Sequence, residues 1–328
     1  MLQTERQKNN RQVATWLLIG VGMIIVQVMI GGITRLTESG LSITEWKPIT
    51  GALPPLNEAA WQEEFARYRN TDQFKYVHQH FSLHDFKFIF FWEWLHRLWA
   101  RLMGIVFIIG FVYFIIRKKF SRAMIAPLLL LFLLGALQGA IGWLMVKSGL
   151  VPEKYFVGHV ELTTHFIAAL VLLAYTCWFA FSLLPGMQNF LVNPKVKNAL
   201  TGITILFFIQ LIFGGFMAGL HAAATAPTWP DINGNMVPTW SEHSLPIVND
   251  PLWVQFTHRI IAYVLFFVVL TFFITTSKIR GSKVFESLRL GLFVLICLQV
   301  LLGILTVLNA TQKNAFVVFG VAHQFMAM

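Results

Sequence analysis

The sequence predicts an all-α integral membrane protein with eight transmembrane helices, arranged as two tandem parallel four-helix-bundle repeats. Three features lead to this prediction: the composition, a series of long apolar runs, and a glutamine, glycine and histidine pattern that recurs within those runs. Of the 328 residues, 56% are hydrophobic and only 12% are charged, whereas soluble domains carry about 25% charged residues. The composition therefore indicates a polytopic membrane protein.

Seven apolar runs approach or exceed the roughly 20 residues that cross the hydrocarbon core of a bilayer. They cover residues 13–34, 90–116, 123–146, 157–184, 198–220, 253–276 and 288–309. The first run is not followed by a small-residue cleavage site, so we expect a retained helix and not a signal peptide. An eighth run begins near residue 315 and has 14 residues. We expect it to be a last helix that is truncated in this sequence.

Lysine and arginine residues in the connections predict the orientation of the helices. Thirteen of them lie in the N-terminus and in every second connection, against nine on the opposite side, and the 221–252 loop has none. We therefore place the N-terminus in the cytoplasm and both long loops, 35–89 and 221–252, outside a bacterial cytoplasmic (inner) membrane. The net charge of +10 is then mostly a topology signal, and no nucleic acid partner is needed to explain it.

An internal repeat divides the chain into an N-terminal half, residues 1–184, and a C-terminal half, residues 198–328. The odd-numbered runs carry Gln-x-x-x-Gly, beginning at Gln27, Gln138, Gln210 and Gln299. The even-numbered runs carry a histidine instead, at His96, His165, His258 and His323. Because four runs separate equivalent positions, both halves have the same orientation, which is a parallel repeat.

The four histidines are predicted to form two haem sites. They lie about six to eight residues from the outer helix ends, which is roughly 9–12 Å deep at 1.5 Å per residue. An imidazole without a ligand is costly in lipid, whereas a haem iron takes two axial imidazoles and four-helix bundles hold such cofactors. The glycines are expected to make room for a flat macrocycle. The alternative is that the histidines pack through hydrogen bonds across helices.

Charged residues beside the histidines distinguish the two halves. Arg97, Arg101 and Arg259 are expected to pair with haem propionates, or else to extend toward the membrane interface. Glu93 precedes His96 by one helical turn, and the equivalent residue of the second half is Gln255. This difference suggests that one site performs chemistry and the other carries electrons. The alternative is that Glu93 simply pairs with the arginine four residues later.

Four segments of the chain resemble the haem A synthase family: GGITRLTESGLSITEWKPITGALPP (31–55), WQEEFARY (61–68), FKFIFFWEWLHRLWARLMG (86–104) and TWPDINGNMVP (228–238). The resemblance covers nearly the whole chain. It implies an eight-helix membrane oxidoreductase that converts the C8 methyl group of haem O to the formyl group of haem A, for cytochrome oxidase. The implied chemistry is two successive hydroxylations followed by loss of water.

The resemblance also implies roles for individual residues. His96 and His165 would bind the substrate haem O with Arg97 and Arg101, and Glu93 would be the catalytic carboxylate. In the second half, a permanent haem b cofactor would be bound by His258 and His323 with Arg259. The electron donor would be a ferredoxin-like protein or a quinol, and a haem O-producing farnesyltransferase is a further partner. Homo-oligomerisation and the roles of His159 and His221 are left open.

Two other functional classes fit parts of the sequence. A bis-histidine dihaem electron carrier would use both sites permanently and would not need a carboxylate in one half. It would also place its haems near opposite membrane faces, whereas all four histidines lie at one depth. A transporter with a repeated fold is disfavoured, because the centres of the apolar runs contain no helix-breaking proline or paired charges.

The long outer loop is predicted to contain an amphipathic helix. The segment ALPPLNEAAWQEEFARYRN (52–70) begins with prolines and places Trp61, Phe65 and Tyr68 on one face. Such a helix would cap the haem site or guide a farnesylated ligand, or it would form a lid without specific contacts. The histidines at 78, 80, 84, 221 and 243 are expected to be solvated, and Cys177 and Cys297 to be packing residues.

Overall fold

The structure is a computed structural model that describes residues 2–45, 50–185, 193–239, 246–279 and 282–328. Its regular structure is helical, apart from an isolated bridge between Ile232 and Asn235 within the described residues. The chain divides into two compact units, Met1–Phe190 and Leu191–Met328. Residues 46–49 of the outer loop, and His243 of the second loop, lie outside the described residues.

Each unit contains four longer helices and one or two short ones. The first unit contains α1 (Leu2–Leu36), α2 (Glu58–Arg69), α3 (Asp72–Tyr76), α4 (Leu83–Ile116), α5 (Arg122–Gly149) and α6 (His159–Ser182). The second unit contains α7 (Pro194–Gly219), α8 (Ala222–Thr225), α9 (Pro251–Thr275), α10 (Lys283–Leu308) and α11 (Lys313–Met326).

Among the residues that the structure describes, seven helices are long and apolar enough to cross a membrane: α1, α4, α5, α6, α7, α9 and α10. Their outward faces carry exposed large apolar side chains such as Ile109 and Phe267, as lipid-facing surfaces do. The prediction of an all-α, multi-pass membrane protein is confirmed. The eighth apolar run forms α11, which has 14 residues and is shorter than a full span. The count of eight spanning helices and the two-bundle repeat therefore stay predictions.

In the first unit, α1 packs along both α4 and α6, and α5 packs along α6. Two tryptophans tie α1 to α4 by donating to main-chain carbonyls across the interface. Trp99 Nε1 lies 2.9 Å from the oxygen of Met23, and Trp16 Nε1 lies 3.4 Å from that of Val106. A Cβ atom at Gly110 would overlap the Trp16 indole, so this close approach requires glycine there. The register of α1 against α4 is thereby fixed.

In the second unit, α9 packs between α7 and α10, and α10 in turn packs along α11. Ile203 of α7 forms a buried cluster with Leu265, Val269 and Phe272 of α9. Both α7 and α9 begin with a proline in the first turn after a side-chain cap, which is a favoured way to start a helix. The caps are Asn193 and Asp250.

The predicted amphipathic helix of the outer loop is present as α2. It begins at Glu58 after the Asn57 cap, so the prolines precede it and do not start it. Trp61, Phe65 and Tyr68 share one face, as predicted, and pack against Phe86 and Phe90 at the outer end of α4. These are specific aromatic contacts; for example, the Phe65 and Phe86 ring centroids are 5.1 Å apart. A lid without specific contacts is therefore excluded.

Candidate functional site

Each of the four histidines lies against the Gln-x-x-x-Gly motif of a neighbouring helix. In the first such pair, Gln27 and Gly31 of α1 face His96 of α4. The Gln27 amide nitrogen is 3.2 Å from His96 Nδ1 and donates to the main-chain oxygen of His96 at 3.1 Å. A Cβ atom at Gly31 would lie 3.0 Å from Cε1 of the imidazole. The glutamine therefore binds the histidine, and the glycine leaves space for its ring.

Helices α5 and α6 form the second pair with nearly the same geometry. The Gln138 amide nitrogen is 3.2 Å from His165 Nδ1 and donates to the main-chain oxygen of His165 at 3.1 Å. A Cβ atom at Gly142 would lie only 2.8 Å from His165 Cε1. This distance is closer than side chains tolerate, so an alanine at Gly142 would displace the ring.

Helices α7 and α9 form the third pair, which is looser. The Gln210 amide nitrogen lies 3.2 Å from His258, here at Nε2 of the ring. A Cβ atom at Gly214 would be 3.4 Å from His258 Cε1, which is an ordinary van der Waals distance. This pair therefore has the most room beside the imidazole.

Helices α10 and α11 form the fourth pair. The Gln299 amide nitrogen is 3.4 Å from His323 Nε2, and His323 Nδ1 is 3.1 Å from the main-chain oxygen of Gln299. A Cβ atom at Gly303 would lie 3.0 Å from His323 Cε1. The last helix is short, but it still brings its histidine into the same arrangement as the other three.

We call these four arrangements histidine cradles. Their glycines face the imidazoles, which the sequence did not indicate, and the space they were expected to make for a macrocycle stays a prediction. The cradles also occur in pairs: His96 and His165 lie in the first unit, and His258 and His323 lie in the second. Each unit therefore contains both of its predicted haem ligands.

Glu93 is buried, with 2% of its surface exposed, and both of its oxygens accept hydrogen bonds. Oε2 accepts from the Ser42 hydroxyl at 2.7 Å and from the Ile43 amide at 2.8 Å. Oε1 accepts from Arg97 Nη2 at 2.5 Å, so the alternative of an i+4 ion pair is realised. Arg97 Nη2 also donates to the Ile43 carbonyl at 3.2 Å. Together, Glu93 and Arg97 hold the start of the outer loop against α4.

The equivalent residues of the second unit also bind its outer loop, but through an amide and a guanidinium group and without a carboxylate. Gln255 is fully buried and donates through Nε2 to the Ala226 carbonyl at 2.9 Å. Arg259 donates to the carbonyls of Thr228 at 2.7 Å, Asp231 at 2.8 Å and Ala226 at 3.3 Å. In both units, the residues three before and one after the first histidine therefore bind the outer loop that follows the unit's first helix.

Arg97 and Arg259 bind main-chain carbonyls of the loops, which the sequence did not reveal. Arg101 lies one turn after Arg97 on α4. The assignment of these arginines to haem propionates stays a prediction. The two histidines whose roles the sequence leaves open both lie outside the cradles: His159 is the first residue of α6, and His221 precedes α8 with a φ of +53°.

The start of the outer loop is unusually buried for a segment outside the apolar runs. Ser39, Leu41 and Ser42 are at most 2% exposed, and the Thr37 and Ser39 hydroxyl oxygens are 2.6 Å apart. We call residues 37–43 the buried loop. Sequence reasoning missed Ser42 and Ile43 as partners of Glu93. The available signal was the density of small hydroxyl residues in TRLTESGLS, since buried hydroxyls are normally hydrogen-bonded.

A second polar cluster joins the buried loop to α2 and α3. His78 Nε2 is 3.1 Å from Glu38 Oε2, and His78 Nδ1 is 2.7 Å from the Tyr68 hydroxyl. Tyr68 donates to Gln73 Oε1 at 3.0 Å, and Gln73 Nε2 donates to the Glu38 carbonyl at 3.3 Å. Burial, assisted by the charges of Glu93 and Glu38, raises the pKa of Tyr68, so its hydroxyl keeps its proton.

The burial of His78 contradicts the expectation that this histidine is solvated. Its exposed fraction is 3%, and its ring stacks on Phe81 with centroids 4.0 Å apart. The expectation failed because the burial comes from α2 and α3 packing above α4, a tertiary effect that the local composition does not show. His80 and His84, in contrast, are exposed as expected.

Comparisons with known families and proteins match nearly the whole chain. Residues 14–328 match the COX15-CtaA family, described as cytochrome oxidase assembly protein. A protein named Heme A synthase from Parvibaculum lavamentivorans is 39% identical over 97% of this chain and 94% of its own length. Proteins of the same name from Rhodospirillum centenum (41% identical, 96% and 84% covered) and Flavobacterium psychrophilum (37%, 98% and 95%) are similar. The chain therefore belongs to the haem A synthase family of cytochrome oxidase assembly proteins.

Proposed function

We propose that this chain is a haem A synthase, a membrane oxidoreductase that converts the C8 methyl group of haem O to the formyl group of haem A. Family membership over nearly the whole chain supports this proposal. The observation that carries it at the site is the difference between the units. Both units cradle two histidines, but the first has the Glu93 carboxylate where the second has the Gln255 amide.

The residues present fit haem groups. Within the described part of the chain, His258 Nδ1 is buried and has no hydrogen-bond partner. Buried polar atoms are normally satisfied, so this nitrogen is available to a ligand. The cradles also fix each ring through a hydrogen bond, as residues around metal-bound histidines do. We assign the substrate haem O to His96 and His165, with Arg97 and Arg101 beside it, and a haem b cofactor to His258 and His323 with Arg259.

The haem b cofactor would supply electron transfer, and the chemistry at the substrate would involve Glu93. Oxidation of a methyl to a formyl group removes four electrons from the substrate, two in each hydroxylation. Because the proposed redox partner is an electron donor, the oxidant of each hydroxylation would be dioxygen, which would take two electrons from the methyl group and two from the donor and release one oxygen atom as water. In the last step, the geminal diol loses water: one hydroxyl gives up its proton, and the other departs after gaining one. Glu93, one turn from His96, would take the proton from the first hydroxyl and return it to the departing one, so that the carboxylate is regenerated. The Ser42 hydroxyl is the donor that can rotate away from the carboxylate to make this possible.

The proposal extends to location and partners. We infer that the protein lies in a bacterial inner membrane with its N-terminus in the cytoplasm, on the distribution of lysine and arginine. The cradles would then open near the outer face. The electron donor would be a ferredoxin-like protein or a quinol, and a haem O-producing farnesyltransferase would supply the substrate. Such a prenylated substrate is membrane-soluble, which fits a site between membrane helices.

The test is to identify the haems that the protein carries. The full chain would be purified in detergent from cells that supply haem O, and its haems would be extracted and separated by chromatography and mass. Haem O, a hydroxylated intermediate or haem A beside haem b would support the proposal. Haem b alone, at two per chain, would instead indicate a bis-histidine electron carrier.

A further inference from the structure

We propose that Glu38 and His78 are positioning residues for Glu93: they fix the buried loop from its outer side, so that Ser42 and Ile43 meet the Glu93 carboxylate. The catalytic part of this inference rests on the proposed function. The structural part does not, because it concerns only how the loop is held. In the hydrogen bonds described above, neither Glu38 nor His78 contacts a cradle histidine.

The cluster around His78 forms a closed ring of directed hydrogen bonds. Gln73 donates to the Glu38 carbonyl, and Tyr68 donates its only hydroxyl hydrogen to Gln73. His78 Nδ1 contacts the Tyr68 hydroxyl oxygen, and His78 Nε2 donates to the Glu38 carboxylate. These four contacts close a ring that joins the buried imidazole to both the carboxylate and the main-chain carbonyl of Glu38.

The backbone of Glu38 gives an independent reason to regard its side chain as required. Its φ of +59° lies in the left-handed region. Glycine adopts this region readily, asparagine and aspartate do so less often, and other residues rarely do. The contact between Glu38 Oε2 and His78 Nε2 spans 3.1 Å, and the imidazole is almost fully buried. A glutamate at a position that favours glycine is explained when its carboxylate has a specific partner.

The buried loop is short and rigid enough to transmit this restraint to Glu93. Main-chain bonds from Thr37 to Ile33, from Ser39 to Thr34 and from Ser42 to Ser39 close successive turns. Ser42 and Ile43 then follow Glu38 by four and five residues. From the membrane side, Arg97 holds the Ile43 carbonyl. The loop is thereby held from both sides, by His78 above and by Glu93 with Arg97 below.

The first experiment measures the loop itself. Hydrogen–deuterium exchange with mass spectrometry would follow peptides covering residues 37–45 in the detergent-purified full chain. We expect His78→Gln and Glu38→Gln to accelerate exchange there by about tenfold, since each removes part of the ring. His80→Gln, an exposed histidine two residues away, is the matched control and should leave it unchanged. Unchanged exchange in both ring variants would overturn the proposal.

The second experiment asks whether the effect on catalysis passes through Glu93. His78→Gln should lower kcat for haem A formation with little change in KM when Glu93 is present. In the Glu93→Gln background, the same substitution should cause no further loss. Equal losses in both backgrounds would mean that His78 acts independently of Glu93, and the inference would be wrong.

A third variant protects the test against misfolding. Tyr68→Phe removes a single hydroxyl group from the same ring and keeps the aromatic packing of α2, so it serves if the histidine variant does not fold. It should show the same exchange phenotype at smaller size, and normal exchange in a folded Tyr68→Phe protein would count against the ring. If Glu93→Gln itself keeps full activity, the catalytic role of Glu93 fails, whereas the exchange data still decide whether the loop is held.

Discussion

The two units use the same histidine cradle but differ in the side chain one turn before the first histidine. On α4 this residue is Glu93, whose two oxygens accept from a hydroxyl, an amide and a guanidinium. On α9 it is Gln255, whose amide donates to a single carbonyl. Both side chains hold the outer loop of their unit, so anchoring alone requires no charge. The carboxylate of the first unit therefore has a feature that loop anchoring does not explain, which is its charge beside a cradle histidine.

The outer loops of the two units are also anchored through different groups. In the first unit, side chains of the buried loop itself contribute, and the cluster around His78 supports it from above. In the second unit, Arg259 and Gln255 bind main-chain carbonyls of the loop. The loop beside the carboxylate is thus held by both its backbone and its side chains. This is what we expect where a catalytic group needs an exact position.

The largest expected effect comes from making the first unit like the second. Glu93→Gln keeps the shape of the side chain but removes the proton acceptor, and it places an amide group against Arg97. We expect haem A formation to fall by about 10²–10⁴-fold, the usual contribution of a positioned acid or base. Both haem sites should stay occupied, as measured by haem extraction. Formation of haem A at the wild-type rate would contradict the catalytic role of Glu93.

The second prediction separates the two units by their haem content. His258→Ala removes one predicted axial ligand of haem b, so the purified protein should lose most of its haem b and keep its substrate site. His96→Ala should do the reverse, because it removes a ligand of the substrate haem. Haem extraction and absorption spectra of the two variants make the measurement. Unchanged haem b in His258→Ala would rule out that ligand assignment.

The third prediction makes the second unit like the first. Gln255→Glu places a carboxylate against the Ala226 carbonyl, which it faces across 2.9 Å, so a donated hydrogen bond becomes a repulsion. We expect a loss of roughly 1–3 kcal/mol in unfolding free energy and no second oxidation activity. Thermal unfolding in detergent tests this, with the exposed Gln62→Glu as control. If the second unit then oxidised haem, the division of roles between the units would be wrong.

The smallest effects concern the glycines of the cradles. Gly142→Ala brings a Cβ atom to 2.8 Å from the His165 ring, whereas Gly214→Ala leaves 3.4 Å to the His258 ring. Overpacking typically costs about 1–3 kcal/mol, so Gly142→Ala should weaken binding of the substrate haem. Gly214→Ala should leave haem b content nearly unchanged. Equal haem loss in both variants would mean that the glycines serve some purpose other than clearing the imidazoles.

The sequence was sufficient to predict the helices and to single out the four histidines of the cradles, because both follow from local patterns that recur along the chain. Apolar runs of bilayer length and the spacing of Gln-x-x-x-Gly against histidine need no knowledge of tertiary contacts. The contact of the glycines with the imidazoles was not predicted, since a macrocycle and an imidazole both require a small neighbour. The pairing of Glu93 with Arg97 could be read from their i+4 spacing.

The remaining parts of the site depend on contacts between distant segments. Ser42 and Ile43 meet Glu93 about 50 positions later in the chain, and no local pattern indicates that pairing. His78 is buried because α2 and α3 fold over it, although its surrounding sequence is polar. The carbonyl partners of Arg259 are main-chain atoms, which any sequence would provide. Such contacts are set by the path of the backbone and not by residue type.

The histidine cradles have a consequence for how firmly the protein retains its haems. Each imidazole is oriented by a glutamine and a glycine of the chain itself, so the conformational entropy of fixing that side chain is lost during folding and not at binding. Immobilising a side chain costs about 0.5–1.5 kcal/mol at an interface, and a pair of preorganised ligands avoids that cost twice. Tighter haem binding would follow, which in the second unit suits a cofactor that stays bound through many turnovers.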